Sequence, residues 1–340
     1  IGVKVCEPGE KHKESFRSAS NAAAIGGVTS LVTRPDTKPS IDNPELLEFF
    51  KNRGKEFSKV RIFPTASLTK KNNGKKMTEI GFLHEGGAVA FTDGFNSIPN
   101  TKTFHTILKY ASDFDTLIIG HPQDHFLTQN TSASSGVFAS IKGLSSSPNI
   151  AEKIGIERDT ALVANINIRY HADQITTKIG LDVLRHAKKN NDRLTAGTSV
   201  HHILFNELDI GNYRTFFKLK PPLRNNIDRE ALTEAIKEGL IDNICSMHTP
   251  QDEESKRLPF EEAAPGAVGL ETILPASLSL YHNKVLTLNQ IFQLLAFNPA
   301  EIIKKKLGSL EEGYPADIIV FDPDKPVKID RFKFQSKSQN

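Results

Sequence analysis

Short apolar runs rich in β-branched residues alternate with amphipathic stretches along most of the chain. Eight runs have the composition of strands, at residues 1–6, 28–33, 60–66, 88–93, 116–121, 166–171, 194–199 and 243–248. Between them, apolar residues recur at spacings of three and four, which is the period of a helix. These helical stretches cover residues 43–53, 77–85, 101–112, 176–189 and 229–238. The alternation predicts repeated βα units around a parallel sheet, and eight such units predict a TIM (β/α)8 barrel.

Polar side chains follow several of the predicted strands, at the end of the barrel where functional groups usually lie. They are Asp93, His121, His171, the adjacent His201 and His202, and His248. Because His201 and His202 come directly before a helical pattern, we expect them to cap or pack that helix. The segment 122–148 is rich in Ser and Thr and long for a connection. We expect it to form a mobile loop over the barrel mouth.

The residues after the eighth run predict a change of architecture. Apolar stretches at 270–280 and 288–297 are followed by the run 315–322, Pro-Ala-Asp-Ile-Ile-Val-Phe-Asp, which has the pattern of a lone strand. We therefore assign residues 1–310 to the barrel and residues 311–340 to a segment that returns to a small β-sandwich. The other strands of that sandwich are expected to precede Ile1, so that both ends of the chain continue in a longer protein.

Composition narrows the class of protein. A hydrophobic fraction of 38%, a charged fraction of 24% and a net charge of +3 are ordinary for a globular chain and give no basic footprint for nucleic acid. The two cysteines, Cys6 and Cys245, lie in apolar runs, which suits reduced thiols in the cytoplasm. No apolar stretch approaches the ~20 residues that a membrane helix needs. The basic run 70–76 is interpreted as a solvated loop.

Several motifs in a fixed order resemble one enzyme family. They are Glu7-Pro8-Gly9, the stretch 22–29 (Ala-Ala-Ala-Ile-Gly-Gly-Val-Thr), 35–39 (Pro-Asp-Thr-Lys-Pro), 221–224 (Pro-Pro-Leu-Arg), 266–272 (Gly-Ala-Val-Gly-Leu-Glu-Thr) and 336–338 (Ser-Lys-Ser). Together they are similar to dihydroorotase of the long bacterial type, an amidohydrolase. The resemblance implies hydrolysis and closure of the dihydroorotate ring in pyrimidine synthesis, with one or two zinc ions activating water and an Asp carrying the proton.

Six positions of this chain correspond to the metal site of that family, and only two keep a ligand type. They are Gly2, Lys4, Asp93, His121, Gln174 and Met247. The family has a His-x-His pair at Gly2 and Lys4, a His at Gln174, and at Met247 the Asp that also carries the proton. Glycine has no side chain, a lysine ammonium repels a metal ion, and a thioether cannot accept a catalytic proton at neutral pH.

The positions implied to contact the substrate also depart from the family. An Arg that would hold the substrate carboxylate is Cys6, an Asn is Asp36, a second Asn is Lys220 and a His is Gln251. A thiol in place of a cation, and a carboxylate in place of an amide, are expected to reverse the preference for an anionic ligand.

These substitutions lead to the interpretation of a catalytically inactive dihydroorotase homologue that needs no cofactor. The resemblance extends to the non-catalytic dihydroorotase-like chains that assemble with aspartate carbamoyltransferase. It therefore implies a cytoplasmic scaffold or regulator of that enzyme, part of an oligomer, that does not bind nucleic acid or membranes.

Two other functions stay open at this stage. The chain could be an active zinc amidohydrolase in which Asp93, His121, His171 and His248 bind one metal and Asp173 serves as the base. It could also be a small-molecule sensor, for which the sequence offers no positive sign. We further predict that Lys4 forms a salt bridge with Asp93 in place of the metal charge.

Overall fold

The computed structural model describes residues 1–340 and is built from short parallel strands and surrounding helices. The strands are β1 Ser30–Thr33, β2 Arg61–Pro64, β3 Leu117–Gly120, β4 Ala133–Ser134, β5 Ser146–Ser147, β6 Arg169–Ala172, β7 Leu194–Ser199 and β8 Asn243–Cys245. The helices are α1 Phe16–Ile25, α2 Pro44–Phe57, α3 Ile80–Glu85, α4 Thr101–Ser112, α5 Val137–Lys142, α6 Ile150–Ile166, α7 Lys178–Lys188, α8 Val200–Leu204, α9 Asn226–Lys237, α10 Glu253–Arg257, α11 Ile273–His282, α12 Leu288–Phe292 and α13 Asn298–Ile302. A π-helical turn, Gln293–Phe297, joins α12 to α13.

The barrel closes with six strands and two single-residue bridges. β1 pairs with β2, and β3, β6, β7 and β8 form a continuous parallel sheet in that order. The first and fourth predicted strands are reduced to bridges at Val3 and Phe91. The N–H of Lys4 donates to the carbonyl oxygen of His248 at 2.9 Å, which joins the first position to the last. The predicted TIM barrel of the amidohydrolase type is thereby confirmed.

Five helices, α2, α3, α4, α7 and α9, form where the apolar period predicts them, whereas α1 and α6 were not predicted. In α7 the side chain of Thr177 caps the first turn by accepting the N–H of Gly180, while Leu181 and Leu184 are buried. Burial of a leucine side chain contributes about 1.5–3 kcal/mol. Basic residues lie in the last turn, where they interact favourably with the negative end of the helix dipole.

A buried glutamate fixes the turn that leads from β6 into α7. The carboxylate of Glu152, on α6, accepts the backbone N–H groups of Thr176 and Thr177 at 2.9 and 2.7 Å and both of their hydroxyls. The side-chain amide of Gln123 donates to it at 2.9 Å. This turn follows the C-terminal end of β6, which faces the barrel mouth. Glu152 therefore helps to position the residues at that end of the strand.

Two segments differ from the sequence-based expectations. The run 315–322 forms no strand within residues 1–340: Val320 is 97% exposed, and Phe321 packs its ring 5.5 Å from that of Phe292. Its expected partner strands precede Ile1, so the assignment of residues 311–340 to a small β-sandwich stays a prediction. The segment 122–148 is more regular than a loop, because β4, α5 and β5 lie within it.

The last five residues return to the barrel mouth. Ser336 donates its hydroxyl to Glu14, and the N–H of Val268 donates to the carbonyl oxygen of Asn340 at 2.8 Å. The side-chain amide of Asn340 accepts the N–H of Gln251 at 3.0 Å and donates to the carbonyl oxygen of Gly266 at 2.8 Å. This terminal segment therefore braces the loops that follow the eighth strand.

Candidate functional site

The side chain of Met247 occupies the space into which a side chain at position 2 would project. Gly2 has a φ of +82°, and a Cβ atom built there would lie 2.8 Å from the sulfur of Met247. Met247 is itself buried and has a φ of +44°. A larger residue at position 2 would be strained by the backbone and would have to displace the thioether.

Lys4 pairs with Asp36, so the predicted salt bridge to Asp93 is wrong. The ammonium of Lys4 lies 3.1 Å from Asp36. Arg34 approaches the same carboxylate with two nitrogens, at 2.9 and 2.7 Å, and its guanidinium stacks 4.0 Å from the ring of Phe95. Burial alone would raise the pKa of Asp36, but Arg34 and Lys4 outweigh it and hold that pKa well below its usual range.

This pairing also determines how Asp36 contributes to the net charge of the site. The sequence predicts that its carboxylate disfavours binding of an anion. Two cations neutralise it instead, so Asp36 acts as an internal counter-ion and leaves the positive charge in excess.

Asp93 is held by the loop after the third barrel position. The N–H of Thr69 donates to one carboxylate oxygen at 2.9 Å, and the hydroxyl of Thr69 donates to the other. Burial raises the pKa of Asp93 to about 6, against the opposing effect of these hydrogen bonds. Both oxygens are thus committed to protein donors.

His121 stands at the end of β3 with its ring edge-on to Phe95, 5.7 Å between centroids. Burial, followed by the charges of Lys220 and Arg34, lowers its pKa well below the usual value, so the imidazole is neutral. Its Nδ1 is buried without a hydrogen-bond partner.

Gln174 turns its amide into the barrel wall. Its side-chain nitrogen donates to Asp173 at 3.1 Å and lies 3.0 Å from the sulfur of Cys245. Gln174 has a φ of +61°, a conformation that a glutamine rarely adopts. Burial raises the pKa of Asp173 and takes the pKa of Cys245 to about 12.

His171 and His248 form hydrogen bonds within the barrel wall and do not form a cluster with Asp93 and His121. Nδ1 of His171 lies 2.8 Å from the hydroxyl of Thr195, and burial lowers the pKa of His171 to about 3. Nδ1 of His248 accepts the N–H of Gly269 at 3.2 Å, so its Nε2 carries the proton and donates to Glu14 at 3.1 Å. No group of three or more His, Cys, Asp or Glu side chains forms a metal-binding cluster.

His201 and His202 lie inside α8 and are buried there, so packing is the one of the two expected roles that the structure shows. His202 is hydrogen-bonded on both ring nitrogens, to the hydroxyl of Ser199 at 2.7 Å and to the carbonyl oxygen of Pro221 at 3.1 Å. Burial lowers the pKa of His201 to about 4 and that of His202 to about 3.

A cavity of about 630 Å³ opens beside His121. Its wall includes Phe95, Gln123, Lys218 and Lys220, and the loop segments around 128–131 and 261–265. Of the other predicted substrate positions, Cys6 is buried with its pKa raised by burial to about 12. Gln251 donates its side-chain amide to the carbonyl oxygen of Pro265 at 2.9 Å.

Three important residues escaped the sequence reasoning. Arg34 and Glu14 stand in irregular segments where no period marks them as buried. Glu152 carried one usable sign, because it shares the buried stripe of α6 with Ile156 and Val163.

Comparison with known proteins decides the family. The model of the dihydro-orotase-like family matches residues 1–180, more than half of the chain. The chain belongs to the dihydroorotase-like family.

The relatives and the solved structures agree with this family. The dihydroorotases of Ehrlichia canis and Listeria monocytogenes are both 38% identical to the chain over its whole length, which covers 76% and 80% of those proteins. L-hydantoinase from Arthrobacter aurescens superposes with a TM-score of 0.87 at 22% identity, covering 100% of this chain and 79% of that one. Dihydroorotase from Saccharomyces cerevisiae gives 0.71 at 15% identity, covering 89% and 83%. These distant structures establish the amidohydrolase fold.

The side chains of this dihydroorotase-like chain do not fit the zinc that the family implies. Four of the six corresponding positions lack a zinc ligand: Met247 fills the space over Gly2, Lys4 pairs with Asp36, and the Gln174 amide hydrogen-bonds in the wall. Asp93 and His121 remain, and two ligands are fewer than the three that catalytic zinc sites use.

Proposed function

We propose that this dihydroorotase-like protein does not hydrolyse dihydroorotate and instead serves as a cytoplasmic structural or regulatory partner of aspartate carbamoyltransferase in pyrimidine synthesis. The observation that supports inactivity is the local packing at the replaced positions. Met247 occupies the space beside Gly2, and Lys4 forms an ion pair with Asp36. The altered side chains have new stabilising partners, as expected of a site kept for its structure.

Loss of the proton carrier supports the same conclusion. Without a carboxylate at position 247, a base would have to come from elsewhere. Asp173 is the nearest alternative, but it is buried and accepts a hydrogen bond from Gln174. A general base must be within hydrogen-bond reach of the proton that it removes, and the Oδ1 atom of Asp173 is already engaged by the Gln174 amide.

The scaffold role is supported by what the chain retains. The similarity to the dihydroorotase of Ehrlichia canis extends over 100% of this chain. Retention of a complete barrel beside an altered site is expected when the fold is needed by a partner or by further copies of the chain.

Metal content and turnover test the inactivity. Protein purified without chelator should contain less than about a tenth of a zinc per chain and should not hydrolyse dihydroorotate after zinc is added. One zinc per chain, with hydrolysis that a chelator abolishes, would overturn the proposal and support the altered zinc amidohydrolase instead.

Assembly tests the scaffold role separately. The protein, mixed with aspartate carbamoyltransferase of the same organism, should co-elute with it in size-exclusion chromatography and change its thermal stability or activity. Separate elution, with the transcarbamoylase unchanged, would remove the scaffold role while leaving the question of turnover to the metal assay.

A further inference from the structure

Helix α5 turns two large apolar side chains into solvent. Val137 is 75% exposed and Ile141 is 77% exposed, and their spacing of four residues places them on one face of the helix. The other side of the helix is anchored, because Phe138 and Ala139 pack into a small apolar cluster with Ile210. This face of α5 is therefore held in place by a core and yet covered by nothing within the chain.

The segment from Glu207 to Tyr213 lies along α5 and widens the apolar surface. At the start of the helix, a Cβ atom built at Gly136 would lie 3.9 Å from Oε2 of Glu207. At its end, the hydroxyl of Tyr213 donates to the carbonyl oxygen of Lys142 at 2.8 Å. This segment adds Leu208, which is 66% exposed, and Tyr213, which is 45% exposed. Helix and segment together form what we call the α5 patch: Val137, Ile141, Leu208 and Tyr213. Contiguous exposed apolar groups of this kind mark interaction sites.

Opposite charges without ion-pair partners lie at the two ends of the α5 patch. Glu207, at the start of α5, forms no salt bridge, and burial and the charge of Asp228 raise its pKa. Lys142, at the end of α5, also pairs with no carboxylate, and its ammonium donates to the side-chain oxygen of Asn212 at 3.2 Å. The six residues of α5 span about 9 Å, so a negative and a positive charge stand at opposite ends of a short apolar surface.

The other charged side chains of this segment have partners within the chain. The carboxylate of Asp209 accepts the N–H of Asn206 at 2.8 Å. The guanidinium of Arg214 donates to a backbone carbonyl oxygen and lies 4.6 Å from the centre of the Phe217 ring. The charges that this surface leaves for a partner are therefore those at the two ends of α5.

We propose that the α5 patch is the centre of an interface between two copies of this chain, related by a two-fold axis that crosses α5 near Ser140. In a two-fold interface both copies use the same surface, so it must be complementary to itself. With the axis perpendicular to the helix, the two copies of α5 run antiparallel. Glu207 of each copy then meets the partner's Lys142, while Val137 and Ile141 pack across the axis.

The arrangement of charges favours a second copy of the chain as the occupant. One unpaired charge of each sign, placed at the two ends of a helix, is matched by the same helix in the opposite direction. A specific interface buries about 800 Å² per partner, so the four side chains of the α5 patch are the apolar core of a wider contact. This interface requires neither turnover nor the transcarbamoylase.

Sedimentation of the intact protein over a range of concentrations tests this interface. Ile141→Asp should raise the dissociation constant of the dimer at least about thirtyfold, because it places a charge at the apolar centre of the contact. The matched control is Phe82→Asp on α3, where the apolar side chain is 64% exposed outside the patch. The control should leave the dissociation constant unchanged. A wild-type protein that sediments as a monomer at every concentration would overturn the proposal.

Reversal of the two end charges tests the antiparallel arrangement. Glu207→Lys alone should weaken the dimer about tenfold, because two lysines then meet at both ends of the interface. Lys142→Glu alone should weaken it similarly, because two glutamates then meet. The combined variant restores opposite charges and should return the dissociation constant to within about threefold of wild type. A combined variant that dimerises no better than the single ones would overturn the two-fold arrangement.

A cysteine near the proposed axis gives a direct readout. Ser140→Cys should form a disulfide between two chains under mild oxidation, because the axis brings the same residue of both copies together. The native cysteines, Cys6 and Cys245, are each 1% exposed and should not react. Thr106→Cys on α4 is the matched control, since both hydroxyls bond the carbonyl oxygen four residues earlier in an exposed helix. Equal yields of cross-linked dimer would overturn the proposal.

The same variants distinguish a second copy from another partner. If Ile141→Asp leaves self-association unchanged but abolishes co-elution with aspartate carbamoyltransferase, the α5 patch binds that enzyme and the proposal of a two-fold interface is overturned. If Ile141→Asp abolishes self-association, the two-fold interface is supported whatever the result of the co-elution experiment. The test of this interface is therefore separate from the tests of turnover and of the scaffold role.

Discussion

Replacement of Asp36 by asparagine tests whether the former metal site has been rebuilt as an ion cluster. Asn keeps the shape of the side chain but removes its charge. Arg34, with 5% of its side chain exposed, and Lys4, with 16%, would then face each other without the shared carboxylate. Removing one member of a buried ion pair leaves an uncompensated charge, which is more damaging than the loss of the pair itself.

The expected cost follows from this burial. Breaking a fully buried pair costs about 3–5 kcal/mol, and the 21% exposure of the Asp36 side chain places this case at the lower end, about 2–3 kcal/mol. At roughly 2 °C per kcal/mol for a chain of this size, the melting temperature should fall by about 4–6 °C. The matched control is Asp182→Asn, whose partner is Arg185 and whose side chain is 61% exposed. The control should cost less than about 1 kcal/mol.

The pH dependence gives an independent check. Because the pKa of Asp36 is lower in the folded protein, its contribution is complete above the unfolded value near pH 4 and is lost as the pH falls below it. Urea unfolding at pH 7 should separate wild type from Asp36→Asn, and the difference should narrow progressively as the pH falls below about 4 and close only at the lowered pKa of the folded protein. Equal stability at pH 7 would refute the idea that this carboxylate stabilises Lys4 and Arg34 as their shared counter-ion.

Two further substitutions probe the packing around the site. Glu14→Gln removes a fully buried carboxylate that accepts from His248, and it should cost about 2–3 kcal/mol in urea unfolding at pH 7. The pKa of Glu14 is lowered, so this difference should shrink as the pH falls below about 4 and vanish only below the lowered pKa; a difference that does not shrink in acid would contradict the argument. Gly155→Ala would bring a Cβ atom within 2.4 Å of the Pro122 carbonyl and should cost about 2–3 kcal/mol by thermal denaturation. Gly143→Ala, with open space and a φ of +62°, should cost only about 1 kcal/mol, and equal costs would refute the steric explanation.

The barrel could be predicted from the sequence because its strands and helices have a regular pattern of apolar residues. Each apolar run needs burial on both faces, and each helical stretch presents one apolar face, so the order of elements follows from local patterns. The run 315–322 shows the limit of this reasoning. Its composition favours a strand, but a strand also needs a neighbour, and the expected neighbours precede Ile1, so no ladder forms within residues 1–340.

The partners of the charged residues could not be predicted in the same way. Lys4 was expected beside Asp93, because both correspond to family metal positions. In the structure Asp93 turns to Thr69, whose N–H and hydroxyl can satisfy both oxygens, and Lys4 turns to Asp36. The partner of each charged side chain depends on which loop places a donor or acceptor next to it in the fold. The spacing of residues along the sequence does not specify this.

The uneven pairing of the barrel strands has a consequence for how the protein opens. β3, β6, β7 and β8 share continuous ladders, whereas Val3 and Phe91 join their neighbours by single bridges. Proteins open locally where few backbone bonds must break, so amide hydrogens should exchange with deuterium first at the seam between Val3 and His248 and last along β6 and β7. The barrel then behaves as a stable arc with a weaker closing segment, and the altered residues at positions 2 and 4 lie on that segment.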